Sequence, residues 1–236
     1  MKLHVGTSGY SYKEWKGSFY PDKIDPSEML RYYAKHFDTV EINNTFYRMP
    51  NEKTLAQWSE QVPNGFVFVI KASRKITHLK RLMGVEDELS YLLTTAGTLG
   101  DRLGPILFQM PPNMKKDVDR LVSFLRLFPD PCQSALEFRN DSWFDDEVYS
   151  VVAEHNASLV WSDTTEQSRA RQISTTNFGY LRLRQESYED EDLRTLCNAT
   201  KAQPWDEVFV FFKHEEEGTG PRLASRFGEL WQNQGA

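Results

Sequence analysis

Charged and amide side chains set at every second position inside short β-prone runs constrain this chain more than any other feature. Eight such runs stand at 3–9, 39–46, 66–73, 105–110, 134–139, 158–163, 180–184 and 208–213. Successive side chains of a strand point to opposite faces. In the seventh run Leu181 and Leu183 require an apolar layer, which turns Tyr180, Arg182 and Arg184 to the other face. The same alternation groups Glu137 with Arg139 in the fifth run, Glu41 with Asn43 and Thr45 in the second, and Val69 with Lys71 and Ser73 in the third. An open sheet with helices on both faces would bury these groups away from water at a steep desolvation cost. A closed barrel takes them on its inner wall, which opens to solvent at the mouth.

Helix-period segments alternate with the strands, the pattern of a parallel sheet built from strand-helix units. Asp25 as an N-cap and Pro26 at the first helical position open one helix, whose apolar face carries Met29, Leu30, Tyr33, Ala34 and Phe37. Further stripes run through Leu89, Leu92, Leu93, Ala96 and Leu99, through Val118, Leu121, Val122 and Leu125, and through Val148, Val151 and Val152. Leu223, Ala224, Phe227, Leu230 and Trp231 form the last. Acidic residues at 186–192 suit the positive end of another helix. The stretch 164–177 shows no stripe, so the sixth crossover has room to be irregular. With no Gly/Ser linker and no repeat, the reading is an α/β fold of the TIM-type (β/α)8 class, one barrel domain over 1–236.

Lys and Arg total 28 against 34 Asp and Glu, a net charge of −6, so no general attraction to nucleic acid or anionic lipid is expected. Cys132 and Cys197 belong to no CxxC or Cys/His cluster, and read as reduced thiols rather than zinc ligands or a disulfide. No signal-peptide or membrane-spanning run occurs, so a soluble cytoplasmic protein with no membrane partner is expected. Walker, Rossmann, Gly-x-Ser-x-Gly and His-Glu-x-x-His motifs are missing, which excludes P-loop and serine-hydrolase chemistry. Nothing in the pattern sets an oligomeric state.

Barrel enzymes work at the C-terminal ends of their strands. The groups expected there as proton-handling or nucleophilic residues are Glu41, Lys71, Glu137 and Asp163. Those expected to hold a ligand are Tyr10, Asn43, Asn44, Tyr47, Arg74, His78, Gln109, Arg139, Trp143, Arg182, Arg184 and Lys213. Among inward charges, Lys71, Arg139, Arg182, Arg184 and Lys213 oppose Glu41, Glu137 and Asp163, so a basic mouth is expected in an acidic protein. Such a mouth focuses an anion, with phosphate and carboxylate as natural candidates. The bland alternative is a salt-bridge network that only closes the barrel. Glu41 and Glu137 suit a general acid and base pair. Lys71 suits a Schiff base if desolvated beside Arg139, or else an anion contact. Only His78 and His214 of the five histidines fall at the mouth, so no metal site and no cofactor are assigned.

Several strings are familiar together: Val40-Glu41-Ile42-Asn43-Asn44-Thr45-Phe46-Tyr47-Arg48, Lys71-Ala72-Ser73-Arg74-Lys75-Ile76-Thr77-His78, Leu103 through Pro112, and Leu136-Glu137-Phe138-Arg139-Asn140-Asp141-Ser142-Trp143. With Gly6-Thr7-Ser8-Gly9-Tyr10 and Phe19-Tyr20-Pro21, the chain resembles the DUF72 (YecE-like) family along nearly its whole length. The resemblance implies a TIM-type barrel and carries no settled activity. Two stretches depart from the family pattern. Arg182-Leu183-Arg184-Gln185 stands where an Arg-aromatic-His-Gly end is usual, and Phe212-Lys213-His214-Glu215 where a pair of asparagines and an aspartate is usual.

The leading expectation is an enzyme of hydrolase, lyase or isomerase type that acts on a phosphorylated or otherwise anionic small molecule. A second is a nuclease-like protein that binds nucleic acid through the basic segment 71–81 and the mouth aromatics, with or without one divalent ion. A third is a barrel that binds without catalysis.

Overall fold

The computed structural model describes residues 1–129, 132–163 and 173–233. Its strands are β1 (Lys2–Thr7), β2 (Thr39–Ile42), β3 (Val67–Lys71), β4 (Leu103–Gln109), β5 (Ser134–Glu137), β6 (Ser158–Leu159), β7 (Trp161–Ser162), β8 (Phe178–Leu183) and β9 (Glu207–Phe212). All pair in parallel, in the orders β2-β3-β4-β5-β6 and β1-β9-β8-β7. The two sheets meet at two seams. At one, β6 and β7 are a single passage of chain interrupted at Val160, whose N–H donates to Leu136 O at 2.9 Å. At the other, a lone parallel bridge joins Ser8 to Glu41, and Gly9 N–H donates to Glu41 O at 2.8 Å. The result is the TIM-type ring, with its hydrogen-bonded ladder broken at those two places.

At the β1–β2 seam the strands sit close because Gly6 has no side chain. A Cβ there would meet Thr39 O at 2.3 Å and the Tyr33 hydroxyl at 2.8 Å. Tyr33 in turn accepts from Thr7 N–H at 2.9 Å and donates to Thr39 O at 3.1 Å, which fastens β1, β2 and the helix between them.

The helices are α1 (Met29–Tyr33), α2 (Glu52–Gln61), α3 (Glu86–Gly97), α4 (Val118–Leu125), α5 (Asp146–Glu154), α6 (Asp190–Lys201) and α7 (Thr219–Asn233). Asp25 caps a 3-10 turn at Pro26–Glu28 that leads into α1 and accepts from Ser27 N–H. Asp190, Glu191 and Asp192 fill the first turn of α6, where the helix dipole favours carboxylates. Helix α2 carries no stripe that marks it in the sequence, because Leu55 is its one fully buried side chain. The crossover at 164–172 lies outside the described residues.

Alternation along the strands sorts the core into two layers. Leu181 and Leu183 join the large cluster beneath the helices, whereas Tyr180, Phe178, Val69, Leu107, Ala135, Val160, Phe209 and Phe211 form a second cluster that fills the barrel interior. The strands end earlier than the apolar runs suggest. After β2 the chain turns at once into a 3-10 helix, Asn44–Phe46, and after β3 into a π-helix, Lys75–Leu79. Thr45 explains the first turn, since its hydroxyl reaches Ile42 O at 2.9 Å and Lys71 O at 2.7 Å. Arg81 and Leu82 close the second in the left-handed region, at φ 50° and 68°. No described helix is long and apolar enough to cross a membrane.

Candidate functional site

Above the apolar interior layer lies a polar floor made from four strands. Arg182 of β8 reaches across the barrel to carboxylates from β2 and β5. Its Nε and Nη2 donate to the two oxygens of Glu41 at 2.8 and 2.7 Å, and its Nη1 donates to Glu137. Glu41 also accepts from Ser8 Oγ at 2.7 Å, Asn43 Nδ2 at 2.9 Å and Tyr180 Oη at 2.6 Å. Glu137 accepts from Gln109 Nε2 at 2.7 Å and Arg139 Nε at 3.2 Å. Gln109 completes the chain by accepting from Lys71 Nζ at 3.0 Å.

Both carboxylates and the guanidinium between them are buried, at 0 to 1% exposure. Burial opposes charge on Glu41, yet Arg182 with the Ser8 and Tyr180 hydroxyls overcomes it and lowers the carboxyl to about 2. At Glu137 burial is likewise outweighed, by Arg182, Arg184 and Arg139, and the carboxyl sits well below the usual range. Neither gives up or takes a proton near neutral pH. Their coordination is that of counter-ions to Arg182, which bridges them. Among the described residues no three His, Cys, Asp or Glu side chains converge as a metal site would need.

The layer above the floor is cationic. Lys71 ends β3 at 8% exposure, with its ammonium nitrogen 4.5 Å from the centre of the Phe46 ring. Burial, and then Arg182, lower this amine to about 7, against partial support from Glu41 and Glu137. The positive neighbours that bear on it are Arg182 and Arg184. Arg184 follows β8 on the inner face. Its pKa falls to about 10 through burial and the adjacent Arg182 charge. Its Nε is buried without an acceptor, and its guanidinium makes no ion pair among the described residues. Lys213, just beyond β9, is exposed and stands 4.0 Å from Glu215, and burial with Arg184 lowers its amine. His78, on the π-helix, packs edge-on against Phe46 at 4.9 Å and is lowered by burial, Lys71 and Arg139.

The remaining sequence candidates divide. Tyr10, Asn43 and Asn44 line a cleft of about 280 Å³ together with Gly9, Ser11, Tyr12 and Ile42. Arg184 and Lys213 line another of about 480 Å³ with Glu186, His214, Glu215, Glu216 and Thr219 at the start of α7. Arg74 lies 5.9 Å over the Tyr47 ring, at the exposed rim. Trp143 stays out of the mouth: it is fully buried, stacks on Phe138 at 4.5 Å, and donates its Nε1 to Met114 O at 2.7 Å. Asp163 is buried as a cap for the chain after β8, accepting from Arg184 N at 2.9 Å, Gln185 N at 3.3 Å and the Tyr188 hydroxyl. His214 is tied to Gln185 O at 2.5 Å. Ser8 and Tyr180 join the site although neither stood among the candidates. Tyr180 shares the inner face of Arg182, and that alternation was the signal for it. The basic run at 71–81 is partly neutralised from outside itself, because Lys75 and Lys80 both reach Glu88 of α3 at 2.8 Å.

A parallel eight-stranded ring with its polar groups gathered at the strand ends defines an α/β barrel of TIM type. Residues 4–236 match the model of the family described as "Protein of unknown function DUF72", and the chain belongs to that family. Among curated relatives, the UPF0759 protein YunF of Bacillus subtilis is 29% identical over 67% of this chain and 58% of its own length. The UPF0759 protein YecE of Escherichia coli K12 is 30% identical over 60% of this chain and 50% of its own. The matched part thus spans between half and three fifths of those relatives. A solved DUF72 family protein from Thermotoga maritima MSB8 superposes with a TM-score of 0.82 at 26% identity, over 98% of this chain and 100% of that one. A DUF72 family protein from Enterococcus faecalis V583 also gives 0.82, at 21% identity over 98% and 95%. A methyltransferase from Methanosarcina mazei reaches 0.54 at 9% identity over 99% and 95%, which speaks of fold alone.

Proposed function

We propose that the mouth binds a phosphorylated or carboxylated small molecule and that the protein is an enzyme acting on it. The observation that carries this reading is Arg184. A half-buried guanidinium with no ion pair among the described residues and a buried, orphaned Nε is costly unless an anion completes it. Lys71 and Arg139 lie within electrostatic reach of Arg184, Arg139 already held by Glu137. The floor beneath is a spent network, so the unpaired group that an incoming anion meets is Arg184. In this reading Glu41 and Glu137 hold Arg182 and shape the field on Lys71, and Lys71 is the group whose proton moves near neutral pH.

Inorganic phosphate titrated calorimetrically into the wild-type protein and Arg184→Gln tests this. A charge-assisted contact is worth about 1.5–3 kcal/mol, so the substitution should weaken phosphate by about tenfold or more while leaving urea unfolding nearly unchanged. Equal affinity in the two proteins, or no binding to either, sinks the anion site.

A further inference from the structure

We infer that Lys71 is an imine-forming amine and that its substrate is an anionic carbonyl compound, an aldehyde or ketone with a phosphate or carboxylate nearby. This rests on the anion reading of the mouth and goes on to name the bond that reacts.

Lys71 is buried with no counter-ion in contact, an environment that disfavours the ammonium relative to the free amine. Lys71 makes no ion pair among the described residues, although two carboxylates lie in the floor below it. What it touches is a ring face and a neutral amide. The amide, moreover, has only one usable orientation. Gln109 Nε2 donates to Glu137, a carboxylate that can only accept, so Gln109 Oε1 must face Lys71. That oxygen accepts an N–H of Lys71 in either protonation state and aims no donor at the nitrogen, so the lone pair is unclaimed once a proton is lost. An asparagine-like flip, which would present a donor and consume the lone pair, is closed off by the ion network itself. Lys71 also stands on the inner wall at the last residue of β3, where a molecule entering the mouth arrives, with Arg184 to hold the anionic end.

The step balances without an outside reagent. The Nζ lone pair attacks the carbonyl carbon, the C=O pair moves to oxygen, and a proton passes from nitrogen to that oxygen to give the carbinolamine. A second proton, relayed to the same oxygen and made good by loss of the remaining N–H proton from nitrogen, lets it leave as water while the nitrogen pair forms C=N. One water is released and nothing is oxidised or reduced. His78 stands against the Phe46 ring that also carries Lys71, and its neutral imidazole is suited to relay those protons.

Glyoxylate with cyanoborohydride, followed by peptide mapping, reads the reaction in the wild-type protein. The secondary-amine adduct is expected at Lys71 in about tenfold or greater excess over the exposed Lys13, because only the free amine attacks. Added inorganic phosphate should suppress the Lys71 adduct and spare Lys13. Glycolaldehyde, similar in size and uncharged, should label Lys71 several-fold less. Lys71→Arg should lose the adduct, and should that variant fail to fold, the wild-type map and the phosphate competition still decide. Labelling of Lys71 no greater than Lys13, with phosphate binding intact, overturns the imine and leaves the anion site standing. Preferential labelling by glyoxylate and glycolaldehyde alike, unaffected by phosphate, instead overturns the anionic character of the substrate.

Discussion

Arg182 and Arg184 stand two residues apart on the same face of one strand passage, yet their surroundings are opposite. Arg182 is enclosed by two carboxylates, and each of its three guanidinium nitrogens donates to one of them. Arg184, one step nearer the mouth, has no ionic partner among the described residues. The same residue type is thus fully ion-paired in one layer and without an ion pair among the described residues in the next. Depth in the barrel decides which. Where the interior is sealed, a charge survives only if paired, whereas the half-buried Arg184 above it keeps a buried Nε with no acceptor.

This contrast breaks most visibly at Arg182. Arg182→Leu leaves Glu41 and Glu137 buried together without a cation, and should cost about 4 kcal/mol or more in urea unfolding, or abolish folding. A loss below about 1 kcal/mol would show that the floor is hydrated and not sealed. The next effect is acid unfolding. Glu41 is depressed from 4.5 to about 2, so its stabilisation is complete above about pH 4.5 and is lost as pH falls toward 2; Glu137 acts in the same direction. Unfolding midpoints measured from pH 6 down to about 2 should therefore fall steeply below about 4.5, and far less in a folded Glu41→Gln variant. The smallest effect belongs to the outer rim. Lys80→Gln removes one of two lysines on Glu88, and should change stability by less than about 0.5 kcal/mol and phosphate affinity not at all. A marked loss of phosphate binding there would extend the anion site beyond the mouth.

The inner wall was readable in the sequence because strand alternation is local. Leu181 and Leu183 fix which way Arg182 and Arg184 point before any partner is known. Pairing was not readable. Arg182 meets Glu41 across a separation of 141 residues and Glu137 across 45, and nothing in the strings distinguishes those carboxylates from a free acid and base pair. Trp143 illustrates the same limit, since an aromatic that stacks in the core and one that stacks on a ligand look alike until Phe138 and Met114 are placed. Glu88 is the converse case. It lies outside the run of cations that it neutralises, so the run by itself reads as more positive than it is.

The ring of Phe46 beneath the Lys71 amine has a spectroscopic consequence. Protons held over an aromatic face are shielded by its ring current, so the ε-methylene of Lys71 should resonate upfield of the crowded lysine envelope. Set apart in this way, that resonance can be followed through a pH titration, and its movement reads the protonation state of the Lys71 amine without a substrate or an assay.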